Sequence, residues 1–517
     1  MMKSLLTPFS RPVDGDPPPN PPFAKGAFKG ISSFVVTLRV LVVIAAVLVS
    51  GCAVGPNFIK PVDKTPENFR SAPTSAELYS IADLPWWQVF RDERLQELIR
   101  QALANNYDLR IAVSRVEQAR QIALQARSQF FPQFNYDGGI ARGKNALFGV
   151  IAPNEGKTQD SAFIDLSVFW EVDLWGRIRR LNEAARAQYL ATDDARRGVT
   201  ISLVSGVAQA YFELLELDLQ LDIAKRNTQS FADTLKIFTL RLEQGVASKL
   251  ETSSAEALLT STAANIPELE RQIVLKENQI NVLLGRNPAP VERTAGLLDE
   301  SMPVDIPAGL PSTLLERRPD IREAEETLRA ANAQVGVTVA NFFPQIGLTS
   351  LFGKASPELS AFTSGMTTLW SVAGNMTGPI FRGGLLVAQY RQAVAVWEEA
   401  KLKYEQAVLN ALQEVSNALI SRQKFQEVQV QQARSVKAYE EAVEIALKRY
   451  IAGKASYYEV LQNQQNLFPA ETVLAQTELN RLLAVVQLYK ALGGGWTGSE
   501  GVPSEYSATA RRKAGTQ

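Results

Sequence analysis

Arg241-Leu242-Glu243-Gln244-Gly245-Val246-Ala247-Ser248-Lys249-Leu250-Glu251 and Arg449-Tyr450-Ile451-Ala452-Gly453-Lys454-Ala455-Ser456-Tyr457-Tyr458-Glu459 share one pattern. Arginine, glycine, alanine, serine and glutamate recur in it, each displaced by 208 residues, and Leu284-Gly285 returns as Leu492-Gly493 with the same displacement. Upstream, Phe130-Phe131-Pro132-Gln133 returns as Phe342-Phe343-Pro344-Gln345 at a displacement of 212. The small difference in length falls between these landmarks, where loops absorb insertions at little cost. A period above 200 residues is too long for a short-motif solenoid, so the chain reads as two fused copies of one half. Function has to be read from a unit used twice.

Each glycine stands where a helix would end. From Leu203 apolar positions step four then three through Val207, Ala210, Leu214, Leu217, Leu221, Ala224, Thr228, Phe231, Leu235, Phe238 and Leu242, a coiled-coil seam that Gly245 stops. Ser248 then N-caps a return helix reaching Leu284-Gly285. The second copy repeats this from about Leu385 to Gly453 and from Ser456 to Leu492, with Pro469 expected to kink it. Helices of about 65 residues would be on the order of 100 Å long, far more than a compact domain needs.

Ahead of each long helix the period changes. A helix from Asp92 to Phe130 gives way to alternating residues at Phe134, Tyr136, Gly138 and Ile140, then at Ala162, Ile164, Leu166, Val168, Trp170, Val172 and Leu174. Strands are expected at about 133–142 and 161–175, and in the second copy at about 345–353 and 369–381. Strands of this length with one apolar face suit a bilayer, yet a spanning sheet must close and four strands are too few. Three copies would supply twelve. The fold class is therefore mainly α with a membrane β part, built from a duplicated helix–hairpin–long helix–helix unit.

Composition narrows the chemistry. There is no histidine and a single cysteine, Cys52, which removes histidine-dependent triads, histidine-bearing zinc sites and any intrachain disulfide. Neither a glycine-rich phosphate loop nor a paired-carboxylate cleft can be pointed to, so no enzyme activity, cofactor or metal is expected. Lys+Arg and Asp+Glu are both 54, leaving no basic field for nucleic acid. An apolar run from Ile31 to Val49, ending Val49-Ser50-Gly51-Cys52, reads as a lipoprotein signal in which the Cys52 thiol takes a diacylglycerol; no apolar helix run is expected beyond it. The organisation is then 1–51 extension and signal, 52–91 anchor segment, 92–286 first repeat, 287–311 proline-rich linker, 312–495 second repeat and 496–517 disordered tail.

Four segments carry a resemblance: Cys52-Ala53-Val54-Gly55-Pro56-Asn57, Trp86-Trp87, Leu315-Glu316-Arg317-Arg318-Pro319-Asp320-Ile321-Arg322-Glu323-Ala324-Glu325, and Ala491-Leu492-Gly493-Gly494-Gly495-Trp496. With these the chain resembles the TolC-like outer-membrane efflux ducts, and among them the NodT-type lipoprotein branch, from Cys52 to Trp496. The resemblance implies a homotrimer with a twelve-stranded barrel in outer-membrane lipid and a twelve-helix periplasmic tunnel. Its implied partners are a periplasmic adaptor (membrane fusion) protein and an inner-membrane RND-type pump. Departures from the family are the long N-terminal extension, Ala455, where some relatives carry a latch arginine, and Gln462, where some have a second acid.

Site expectations follow. Cys52 is the lipidation site. Gly245, Ala247, Ser248, Gly453, Ala455 and Ser456 form adaptor-docking turns at the periplasmic tip, where small residues let a partner approach, beside their plain role as helix stops. Glu251 and Glu459 form carboxylate rings at a pore gate, Glu459 by resemblance matching a gate acid. Arg317-Arg318-Pro319-Asp320 is expected chiefly to start a helix. Rival functions are a duct for one-step (type I) protein secretion and a non-porous lipid-anchored coiled-coil scaffold.

Overall fold

The computed structural model describes residues 53–61, 65–70, 80–144, 158–300, 309, 311–356 and 367–495. Cys52, the 1–51 segment, the hairpin loops and the tail from Trp496 lie outside them. The anchor segment ends in α1 (Trp86–Val89), and the first repeat runs α2 (Glu93–Asn105), α3 (Tyr107–Ser128), β1 (Gln133–Lys144), β2 (Thr158–Val172), α4 (Arg177–Glu243), α5 (Lys249–Ala263) and α6 (Asn265–Leu283). The second has α7 (Pro311–Arg317), α8 (Pro319–Ala340), β3 (Gln345–Ser356), β4 (Thr367–Thr377), α9 (Leu385–Ile451) and α10 (Tyr457–Ala491). Helices α4 and α9 have 67 residues each, about 100 Å at 1.5 Å per residue.

Glycines open both long helices. Gly176 and Gly384 sit at φ 79° and 84°, left-handed values that glycine adopts without a Cβ penalty, so the chain leaves the strand and turns sharply into the helix. Asp173 then accepts hydrogen bonds from the N–H groups of Ile178 (3.0 Å) and Arg179 (2.9 Å), satisfying donors that the first turn leaves orphaned.

The four strands form one antiparallel sheet in chain order, joining both repeats through β2 and β3. Register places Phe134, Tyr136, Leu166, Val168, Phe352, Trp370 and Val372 on one face, and Gln133, Asn135, Ser167, Asp165, Thr349, Ser371 and Asn375 on the other. The apolar face is bare: Tyr136, Trp370, Val372 and Met376 are all exposed in the single chain. Strand ends need correction. β2 stops at Val172 rather than about 175, because Trp175 leaves the sheet to stack on Phe343 (4.7 Å) and donate to the Pro344 carbonyl (2.8 Å). β4 stops at Thr377 rather than about 381, where Gly378 lies against Pro344 so closely that a Cβ would come within 3.0 Å.

A hub gathers both repeats midway along the long helices. Phe90, Leu95, Leu98, Tyr211, Phe212, Leu214, Ile321, Tyr404, Leu482 and Tyr489 share one buried core there. Three further corrections belong to the helices. The expected Asp92–Phe130 helix breaks at Asn106, whose side chain caps α3 through the Leu109 N–H (3.0 Å) and donates to the Leu283 carbonyl (3.0 Å). The return helix of the first repeat is interrupted at Ala264, just before Pro267. And α4 does contain a stretch apolar and long enough to cross a membrane, most of it buried among the other helices.

Arg317-Arg318-Pro319-Asp320 has a structural role. Pro319 opens α8 with Asp320 in its first turn. Buried Arg318 holds Asp320, donates to Glu414 on α9 (2.8 Å) and caps the end of α10 through the Ala491 carbonyl (2.9 Å). Arg317 pairs with Asp83.

Candidate functional site

Two places answer to the expected sites: the junction of sheet and helices, beside the anchor segment, and the tip where the long helices turn. At the junction, Ala53–Asn57 is strapped across both repeats. Val54 donates to the Trp175 carbonyl (3.0 Å), and buried Arg180 on α4 donates to Asn57 Oδ1 (2.7 Å) and reaches the Val54 and Gly55 carbonyls (3.4 Å each). From α8, Asn332 donates to the Pro56 carbonyl (3.0 Å). A Cβ on Gly55 would come within 2.5 Å of Gly336 Cα, and one on Gly176 within 2.6 Å of Ala53 Cα. The strap is thus seated backbone on backbone, and the residue after Cys52 is fixed where the sheet ends and α4 begins.

At the tip, the two turns are built alike. Gly245 (φ 73°) and Gly453 (φ 70°) follow α4 and α9, their N–H groups bonding back to the Leu242 and Tyr450 carbonyls at 2.9 Å each. A Cβ on either would meet nothing within 4 Å among the described residues, and positive φ is what requires these glycines. Ser248 and Ser456 begin the return helices, and their N–H groups donate to Glu251 (3.2 Å) and Glu459 (3.4 Å). Ala247 and Ala455 are half-buried, while Ser248 and Ser456 are exposed.

The two glutamates then diverge. Glu251 accepts from the Tyr450 hydroxyl of the other repeat at 2.8 Å. Burial and this bond push Tyr450 up to about 12, with Arg241, whose guanidinium lies 4.7 Å from the ring centre, working the other way. Glu459, half-buried like Glu251, instead has Arg449 at 3.8 Å. Under both turns Phe238, Ala255, Ala446, Tyr450, Val460 and Leu461 make one small core.

A family model described as "Outer membrane efflux protein" matches the chain twice, at residues 98–286 and 310–494. The chain belongs to the outer membrane efflux protein family. The two matches coincide with the two repeats. Among curated relatives, "Probable efflux pump outer membrane protein TtgC" of Pseudomonas putida is 33% identical over 459 residues, covering 88% of this chain and 94% of its own. "Cation efflux system protein CusC" of Escherichia coli is 32% identical over 455 residues, covering 87% and 98%. Among solved structures, the outer-membrane channel OprN superposes with a TM-score of 0.80 at 31% identity over 86% of this chain and 100% of that one. The open-state MtrE outer membrane channel of Neisseria gonorrhoeae gives 0.77 at 31%, over 86% and 99%. This outer membrane efflux protein is accordingly a non-enzymatic outer-membrane component of efflux.

Tyr450, Arg241 and Arg449 were not singled out for the tip chemistry from sequence. Tyr450 is apolar in pattern and has no counterpart hydroxyl at Leu242, so only the fold reveals that it spans the two repeats.

Proposed function

We propose that three copies of this chain close into a passive duct through which small toxic compounds or metals leave the cell. An inner-membrane RND-type pump and a periplasmic adaptor would deliver them. One observation carries the reading: a four-stranded sheet, open at β1 and β4, bears an exposed apolar face. An open edge in hydrocarbon leaves backbone groups unpaired, and three such sheets joined edge to edge make twelve strands with none. The helices supply matching surfaces, since α3 exposes Tyr107, Ile111 and Leu124 while α9 exposes Val396, Leu402 and Leu409. The anchor segment fits the same arrangement. Lipid on Cys52 would emerge at the sheet–helix junction, at the level where the barrel would enter the leaflet.

In this duct Gly245, Ala247, Ser248, Gly453, Ala455 and Ser456 form the adaptor groove, the glycines offering an open side to a partner helix. Glu251 and Glu459 line the constriction, and the Tyr450–Glu251 bond ties the two hairpins of each copy together there. The test is assembly: detergent-extracted protein should have the mass of three chains plus micelle and conduct ions in a planar bilayer. Cys52→Ser should abolish acyl labelling. A conducting monomer would sink the architecture, and labelling that persists in the variant would sink the anchor.

A further inference from the structure

Between the hub and the tip, α4 and α10 run antiparallel with a polar seam. Asn227 and Thr234 lie seven residues apart on α4; Glu471 and Gln464 lie seven apart on α10, in the opposite direction. Asn227 donates to Glu471 Oε2 at 2.5 Å, and Gln464 donates to Thr234 Oγ1 at 2.9 Å. All four side chains are buried. Arg226 adds a bond from the rim to Glu471 Oε1 at 3.2 Å. These rungs flank the apolar heptad seam of α4, and they are costly: the buried Glu471 carboxylate meets only a neutral amide and the rim cation Arg226, and Gln464 Oε1 has no partner among the described residues. Apolar side chains of similar size would hold two helices as well or better.

The duplication shows what the cost achieves. The counterparts of Asn227 and Thr234 on α9 are Ser435 and Ala442, and those of Gln464 and Glu471 in the first repeat are Glu256 and Ala263. No rung can form from that set. Yet the repeats are copies, so α4 and α9 offer similar grooves, and α5 and α10 are similar candidates to fill them. Within the chain α4 takes both its own return helix α5 and, on another side, α10 of the second repeat. The equivalent second neighbour for α9 would be an α5, and the α5 of the same chain already packs on α4.

We propose that the Asn227–Glu471 and Thr234–Gln464 rungs are a register and partner key: they admit a second-repeat return helix beside α4, in one antiparallel alignment, and reject a first-repeat one. A wrong partner would leave Asn227 and Thr234 facing Ala263 and Glu256, and a slip of one heptad would leave Glu471 buried without Asn227. Buried polar residues in coiled coils set partner and register in this way at a cost in stability. The proposal rests on the trimeric duct, in which the remaining groove on α9 is filled by α5 of the next copy.

The chain's single native cysteine makes a clean test. Spin labels at exposed Gln229 and Asn466, in trimers diluted with unlabelled chain, report the α4–α10 alignment. The unsubstituted protein should give one narrow distance. With Asn227→Leu, Thr234→Val, Gln464→Leu and Glu471→Leu together, the trimer should persist and a second population should appear, displaced by about 10 Å, one heptad at 1.5 Å per residue. A single unchanged distance would overturn the key. If that variant does not assemble, Asn227→Glu alone should deplete trimers by setting two carboxylates face to face, and adding Glu471→Asn should restore them; absence of rescue would overturn the key equally. An unsubstituted chain that is not trimeric would count against the duct instead.

Discussion

Tyr211 in the hub and Tyr450 at the tip make the same bond in opposite settings. Tyr211 donates to Asp92 at 2.9 Å, and Tyr450 donates to Glu251 at 2.8 Å. Around Tyr211 everything is committed: Asp92 also caps α2 through the N–H groups of Arg94 (2.6 Å) and Leu95 (3.0 Å), and Phe90 stands edge-on to Phe212 and Tyr489. Burial works to raise Asp92, but bonds from Glu300, Leu95, Tyr211 and Arg94 outweigh it and hold the carboxylate below its ordinary range. At the tip the same bond rests on a six-residue core with exposed turns on either side. The hub therefore fixes the repeats together, while the tip can be loosened without unfolding the rest.

Truncating the aromatic core at each place should break the comparison most. Tyr211→Ala and Phe238→Ala each remove a fully buried ring, worth about 3–5 kcal/mol. Tyr211→Ala should eliminate the trimer from detergent extracts. Phe238→Ala should leave it intact and speed hydrogen exchange only near residues 235–262 and 443–465. Loss of the trimer in both variants would show that hub and tip are one cooperative unit.

The turns come next. Gly245→Val or Gly453→Val forces a side chain into left-handed backbone at roughly 1–2 kcal/mol, and neither Cβ meets a neighbour. Each variant should keep the trimer in the outer membrane while adaptor crosslinking and efflux fall together. If export disappears only where the trimer does, the glycines are helix stops and nothing more.

Titration separates the regions by pH range, both contributions being lost as pH rises. Glu300 is pushed up to about 8 by burial and by its bond to, and repulsion from, Asp92. The stability from its neutral form is complete below its ordinary 4.5 and is lost as pH rises through 8, so chemical denaturation midpoints should fall from pH 5 to 9, and Glu300→Gln should flatten that fall. Tyr450 keeps its proton to about 12, so its contribution is complete below the ordinary 10.0 and is lost above it. Tyrosinate absorbance in Tyr450→Phe should lack the latest-titrating tip component; an identical profile would mean that Tyr450 is not held by Glu251.

The smallest effect on stability belongs to Glu459, whose partly exposed pair with Arg449 is worth at most about 1 kcal/mol. Its expected effect is on conduction. Glu459→Gln should reduce cation selectivity and divalent-cation block in single-channel records, and Glu251→Gln less so. Because Glu251 is engaged by Tyr450 and Ser248, its variant should also loosen the tip, a difference that the pairing of the two residues alone makes. Unchanged selectivity in both would place the constriction elsewhere.

The sequence by itself determined the periodic features. Duplication is visible in displaced identities, strands in alternation, long helices in the heptad of α4, and their ends in Gly245 and Gly453, because each depends on residues within a few positions of one another. Ser248 was readable as a cap for the same reason. Tertiary structure alone decided where local rules compete with distant partners. Between Asp92 and Ser128 no glycine or proline marks a break, and Asn106 is a cap residue whose local signal does not by itself end a helix; the Leu283 carbonyl, 177 positions away, completes it. Strand β2 yields Trp175 to Phe343 and Pro344, a choice between two apolar partners that alternation cannot rank. The seating of Ala53–Asn57 on Arg180, the bond from Tyr450 to Glu251 and the rungs of Asn227 and Thr234 all join residues more than a hundred positions apart. Such pairings are set by which helix lies beside which, and two nearly identical repeats offer the same local pattern to more than one neighbour.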